Sequence, residues 1–181
     1  MKRELLIGCG SNWGKRLTAD DTETFDNLVT LDYNADHKPD IVWDLMNPYV
    51  LPPEFDDNSF DEIHAYEVLE HIGQPGDYRT FFKQFSEFWR VLKPNGHFLA
   101  TFPSRHSAWV WGDPSHTRAI QLEQLIFLSQ PNYETGVGVT SMSDFRNIYK
   151  ADFDVVMASD NKETASMIIK AIKPSRIKER T

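Results

Sequence analysis

The chain has 181 residues, room for one domain with a substantial core and too few for two comfortable ones. Hydrophobic residues make up 40% and charged residues 25%, an ordinary globular balance, and no apolar run is long enough to span a bilayer. A net charge of −8 repels phosphate backbones and disfavours nucleic acid as a partner, while a single cysteine, Cys9, excludes an internal disulfide and implies a reducing, cytoplasmic setting.

Met1-Lys2-Arg3-Glu4 leads straight into an apolar run, with no stretch resembling a signal peptide. Residues 4–7 read as a buried first strand, turned sharply by Gly8-Cys9-Gly10. The following stretch, 11–27, has poor helical periodicity and several turn residues, so a short helix or a loop is expected there. Residues 28–32 and 40–44 read as the second and third strands, each ending on a carboxylate, Asp32 and Asp44. Residues 60–65 form the expected fourth strand. A helix is predicted over about 77–91, with Phe81, Phe82, Phe85, Phe88, Trp89 and Leu92 at helical spacing. Lys93-Pro94-Asn95-Gly96 stops it, and 97–102 is the fifth strand.

Residues 102–121 are expected to be irregular, rich in aromatic and polar side chains. Short helices are predicted at 122–128 and at 143–149, the latter capped by Ser141 or Ser143. Two closing strands follow at 153–158 and 165–172. Lys170, Lys173, Arg176, Lys178 and Arg180 make a basic tail that reads as a solvated terminus. Strands alternating with helices predict an α/β fold: a doubly wound, Rossmann-like, seven-stranded and mostly parallel sheet with helices on both faces and its last strand antiparallel. The whole chain, 1–181, is expected to be one domain, with a substrate-side insertion at about 103–142 and the basic tail at 173–181.

In open α/β sheets ligands bind beyond the carboxyl ends of the strands. Gly8 and Gly10 let a ligand approach the backbone with no Cβ in the way. Asp32, about 20 residues further on, suits the two hydroxyls of a ribose. Asp44 would accept from an adenine amine, the Leu45 amide would donate to a ring nitrogen, and Trp43, Leu45 or Met46 would wall a flat base. Residues 65–72, after the fourth strand, would line the same crevice.

Together these residues resemble the class I methyltransferases that use S-adenosylmethionine, and among them a group of small methyltransferases. The likeness rests on Leu5-Leu6-Ile7-Gly8-Cys9-Gly10-Ser11-Asn12, Leu31-Asp32-Tyr33-Asn34, and the run Lys38-Pro39-Asp40-Ile41-Val42-Trp43-Asp44-Leu45. It continues through Asp57-Asn58-Ser59-Phe60-Asp61-Glu62-Ile63, Val68-Leu69-Glu70-His71-Ile72, and the block from Phe88 through Lys93-Pro94-Asn95-Gly96 to His97. The resemblance implies that Gly8, Cys9 and Gly10 flank the methionine and ribose of the cofactor, and that Asp32 binds the ribose hydroxyls. It also implies that Tyr33 lies on the adenine, Asp44 and Leu45 read its edge, and Glu67 sits near the methionine portion. Many relatives place a third glycine two residues after the turn; here Asn12 stands there, and Gly14 follows.

Methyl transfer from a sulfonium needs mainly an aligned acceptor, and a base only if the acceptor loses a proton. The substrate side is expected in residues 103–118, whose Asp113-Pro114-Ser115-His116-Thr117-Arg118 stretch also resembles the family. His116 is the candidate base, with Asp113 orienting it. Arg105 or Arg118 would hold an anionic acceptor, and Trp109 and Trp111 would stack on a sugar or ring. His71 reads as structural, and no His or Cys spacing matches a metal motif, so no metal is expected. The acceptor is expected to be a small molecule or a sugar; oligomeric state is not legible. Two other readings compete: a non-catalytic cofactor-binding or interaction module on the same fold, and a nicotinamide-linked oxidoreductase. Against the latter, Trp13 stands where its fingerprint needs glycine.

Overall fold

Alternation along β1 (Arg3–Ile7) sets the two faces of the sheet: Leu5 and Ile7 join the main core, whereas Glu4 and Leu6 point to the other side. The structure, a computed structural model, describes residues 1–46 and 51–178. The remaining strands are β2 (Asn27–Asp32), β3 (Ile41–Val42), β4 (Phe60–Tyr66), β5 (Leu92–Pro103), β6 (Phe153–Asp160) and β7 (Thr164–Ala171). They form one seven-stranded sheet in the order β3-β2-β1-β4-β5-β7-β6. β1 to β5 run parallel, and β7 inserts antiparallel between β5 and β6. The order reverses at β1, between β2 and β4, which opens a crevice beyond the strand ends.

The main core lies between the sheet and α1 (Tyr78–Val91), whose Phe82, Phe85 and Phe88 are buried against Phe98, Ala100 and Ile169. Phe88 stacks on Phe98 with centroids 4.6 Å apart, and Phe85 meets the same ring edge-on at 5.7 Å. Asp77 caps the helix by accepting the Thr80 amide at 3.0 Å. The fifth strand starts earlier than its sequence pattern: Phe60 pairs with Leu92 and Glu62 with His97, so the Lys93–Gly96 turn bulges out of an otherwise continuous strand.

The opposite face of β1 and β4 is polar, with Glu4, Glu62 and His64 buried. Residues 11–26 cover it as irregular chain rather than helix, consistent with their missing periodicity. Lys15 reaches down from this cover, 2.6 Å from Glu4 and 3.1 Å from Glu62, with all three side chains buried. His64 lies 3.1 Å from Glu62 and 2.7 Å from the Tyr66 hydroxyl, and that hydroxyl accepts the amides of Arg16 and Leu17. Charged side chains thus pin a segment whose apolar contribution is Leu17 and Phe25, packed against Leu6, Cys9 and Tyr66.

Three expectations are corrected. Residues 143–149 form a turn, not a helix: Asp144 accepts the Arg146 amide and guanidinium, and Phe145 packs its ring on Tyr78, Phe82 and Phe127. The helix of this region is α3 (Gln130–Gly136), opened by Pro131 in its first turn, with a shorter α2 (Trp109–Gly112) inside the stretch expected to be irregular. The predicted element at 122–128 is a 3-10 helix, Leu122–Leu128. The basic tail is not a loose terminus as far as residue 178. Arg176 binds Asp152 at 2.7 Å and Asp154 at 2.6 Å, and Lys173 donates to Asn58 and to the Arg90 carbonyl. Arg180 lies outside the described residues.

Candidate active site

A cleft of about 480 Å³ opens beyond the carboxyl ends of β1 to β4. β1 contributes Gly8 and Gly10, β2 contributes Leu31, Asp32 and Tyr33, and the segment after β3 contributes Trp43 to Met46. Glu67 and Val68 follow β4, and His71, Ile72 and Ser115 close the far wall. Gly8, Gly10, Asp32, Tyr33, Asp44, Leu45 and Glu67, all singled out from the sequence, therefore converge on one cavity. Cys9 does not: its thiol is buried on the other face with Leu6 and Tyr66, and its amide is spent on the Leu31 carbonyl. Burial, with the Asp32 charge nearby, pushes that thiol up to about 11.

Both glycines of the turn have positive φ, +58° at Gly8 and +55° at Gly10. A Cβ on Gly8 would stand 2.5 Å from Val68 Cγ2, so the turn nests against the chain after β4; a Cβ on Gly10 would meet open space. Asp32, only 4% exposed, accepts the Gly10 amide at 2.8 Å and the Asn34 amide at 2.9 Å. Oδ2 retains a second lone pair, while His37 Nδ1 stands 3.3 Å from Oδ1. Tyr33 projects its ring, 73% exposed, at the cleft edge. Asp44 folds an Asx turn onto the Met46 amide at 2.8 Å, and among the described residues its other oxygen takes no hydrogen bond. Glu67 has φ +56°, a left-handed conformation costly for a branched-free but bulky side chain, and its amide donates to Thr101 at 2.9 Å.

The residues expected on the substrate side divide. His116 stands beside the cleft wall, its ring edge-on to His71 at 4.7 Å. Asp113 does not orient that ring; its carboxylate accepts from the amide and hydroxyl of Ser115. The carboxyl nearest His116 Nε2 is Glu70, at 4.0 Å, a residue visible in the sequence only as part of the 68–72 block. Arg118 is buried, donating to the Leu69 carbonyl and to Gln84, so it is a strut of the loop. It also lines a second cleft of about 420 Å³, together with Trp111, Tyr78, Phe81, Phe127 and Phe145. Burial holds its guanidinium down at about 10, against the pull of Asp77 and Glu70. Arg105 is exposed and paired with Glu123, and Trp109 lies on the surface; neither lines the two clefts.

A glycine turn, a carboxylate at the end of β2 and a switch-point crevice in this strand order define a Rossmann-like nucleoside-cofactor enzyme. The sequence matches the family described as methyltransferase domain over residues 5–100, more than half of the chain, and the protein belongs to that family as an S-adenosylmethionine-dependent methyltransferase. Solved structures share the fold. An S-adenosylmethionine-dependent methyltransferase from Archaeoglobus fulgidus is 16% identical with a TM-score of 0.57, the match covering 93% of this chain and 86% of that one. Phosphoethanolamine N-methyltransferase 1 from Haemonchus contortus, solved with phosphoethanolamine and S-adenosylhomocysteine, is 16% identical with a TM-score of 0.60. That match covers 99% of this chain but 41% of the Haemonchus protein, so the chain spans less than half of it. The Haloferax volcanii methyltransferase solved in complex with the Trm112 activator is 18% identical, TM-score 0.54, covering 94% and 82% of the two chains. No curated protein sequence matches. Among the described residues no helix is long and apolar enough to cross a membrane.

Proposed function

We propose that the β1–β4 cleft is the S-adenosylmethionine site and that the protein methylates a small-molecule acceptor. The carrying observation is the convergence of seven sequence-derived cofactor residues on one 480 Å³ cavity. The cavity suits the cofactor: Gly10 leaves a gap that a side chain would fill, and Asp32 keeps a lone pair on Oδ2 after taking the Gly10 amide. Asp32 holds the ribose hydroxyls, Tyr33 covers the adenine, Asp44 and Leu45 read its edge, and Glu67 with the two glycines receives the methionine end. The cofactor supplies an activated methyl group on sulfonium; the chain's part is to bind, orient and exclude water.

The acceptor class rests on charge and on the second cleft. A net charge of −8 opposes polyanions, and the 420 Å³ cleft offers aromatic walls with one buried cation, Arg118, and one carboxylate, Asp77. Such a surface takes a small ring or sugar better than it takes a phosphate backbone. His116 and His71 lie by the cofactor cleft, on the side from which the acceptor would enter. The buried thiol of Cys9 fits a reducing, cytoplasmic setting.

Calorimetric titration with S-adenosylmethionine, S-adenosylhomocysteine and NAD tests the cofactor site. Saturable binding of the adenosyl ligands alone supports it; equal or better binding of NAD would overturn it. Tight, salt-sensitive binding of RNA or DNA would overturn the acceptor class.

A further inference from the structure

Glu70 is buried, 2% exposed, yet among the described residues neither carboxylate oxygen has a hydrogen-bond partner. Nearly all buried polar atoms are satisfied, so two orphaned oxygens on one carboxylate need an explanation. They face two imidazoles: one ligand atom each from Glu70, His71 and His116 lies within 4.8 Å of the others. The imidazoles are already oriented. His116 Nδ1 is 3.3 Å from the Val110 carbonyl, which only accepts, so Nδ1 carries the proton and Nε2 turns its lone pair toward Glu70. His71 Nδ1 is likewise engaged by the carbonyl and hydroxyl of Ser115, at 3.3 and 3.2 Å, which leaves Nε2.

Lone pairs on a carboxylate and two imidazoles converging without a donor between them are mutually repulsive, and a cation placed among them removes the conflict. Each ring is fixed through its other nitrogen to a backbone carbonyl, the outer support that metal-bound histidines need. Ligands 2.0–2.2 Å from one ion stand about 3–4.4 Å apart, so the observed separation needs little side-chain movement. Mixed imidazole and carboxylate donors suit a divalent transition ion better than magnesium or calcium.

We propose that Glu70, His71 and His116 form a divalent transition-metal site on the wall of the cofactor cleft, with open positions that take an oxygen of the methyl acceptor. The second part rests on the methyltransferase reading; the metal site itself does not. The other buried cluster of this type, Glu4, Glu62 and His64, needs no ion because Lys15 already supplies its cation.

The test titrates the untagged full chain with Co²⁺, whose visible absorption reports nitrogen ligands, and then displaces it with Zn²⁺. One equivalent is expected, with binding weakened at least tenfold in both Glu70→Gln and His116→Gln and unchanged in His106→Gln, a surface control. Absence of a saturable visible band in the wild type would overturn the site. So would wild-type affinity in a folded Glu70→Gln or His116→Gln, checked by circular dichroism; if one variant unfolds, the other decides. Calorimetry of S-adenosylhomocysteine on the same samples separates failure of the metal site from failure of the cofactor site.

Discussion

The carboxylate of Asp32 accepts the amide of Gly10 at 2.8 Å, tying the end of β2 to the turn after β1. One side chain thus shapes the glycine turn while keeping a lone pair on Oδ2. Asp32→Ala removes both, and hydrogen bonds to a charged group contribute roughly 1.5–3 kcal/mol each. Affinity for S-adenosylhomocysteine is expected to fall at least a hundredfold by calorimetry. Loss of less than threefold would mean that Asp32 only braces the turn.

Gly8 and Gly10 answer different constraints although both have positive φ. Gly8→Ala meets Val68 at 2.5 Å as well as the backbone penalty, while Gly10→Ala carries the backbone penalty alone. Gly8→Ala is expected to lose more stability in urea denaturation, with part of the loss recovered by Val68→Ala. Gly10→Ala should instead lower cofactor affinity more than stability. The reverse ranking would disprove this division.

Glu67 holds a left-handed conformation at the cleft. Strain of this kind costs about 1–3 kcal/mol, whereas glycine adds about 0.5–1 kcal/mol of unfolded-chain entropy. Glu67→Gly should leave stability unchanged or slightly raised and weaken cofactor binding about tenfold. A clear destabilisation would show that the side chain, not the ligand, maintains this backbone.

Lys15 neutralises Glu4 and Glu62 in a buried site. Lys15→Met leaves the buried Glu4 without its lysine and Glu62 with Lys2 alone, and should cost about 3–5 kcal/mol. Burial by itself would raise Glu62, but hydrogen bonds from His64, Lys2 and Lys15 outweigh it and hold the carboxyl well below the usual range. Glu4 is lowered as well, by His64, Lys15 and the Asp26 amide against its own burial. With folded values depressed, the unfolded state binds more protons as pH drops. The stabilisation is present in full above the ordinary glutamate value near 4.5 and is lost as pH falls through the folded values. Urea midpoints measured downward from pH 5 should fall steeply in the wild type and more gently in Glu62→Gln.

Phe88→Ala removes a ring stacked on Phe98 at the centre of the main core. A loss of about 3–5 kcal/mol is expected in equilibrium denaturation. A loss below 1 kcal/mol would mean that α1 does not anchor the sheet.

Most of the lining of the β1–β4 cleft was legible in the sequence. Gly8, Gly10, Asp32, Asp44 and Glu67 each sit within a few residues of a strand end, and parallel strands bring their carboxyl ends to one edge. Local periodicity and turn chemistry were enough to place them there, and the irregular 11–26 segment was visible through its missing apolar stripe. Other features depended on partners distant in the chain. Whether 143–149 coiled into a helix was decided by the packing of Phe145 on Tyr78, Phe82 and Phe127; the tail was ordered by Asp152 and Asp154, and the role of Arg118 by Gln84. The meeting of Glu70 with His116 was equally invisible, because the loop after β5 had to fold back, its Thr117 and Arg118 amides bonded to the Glu70 carbonyl. The sequence by itself determined which strand ends carry the glycines and carboxylates that line the cleft, since alternation and turns are local properties. Only the tertiary structure decided which distant side chains share a charge or a cation, because that depends on where loops without periodicity come to rest.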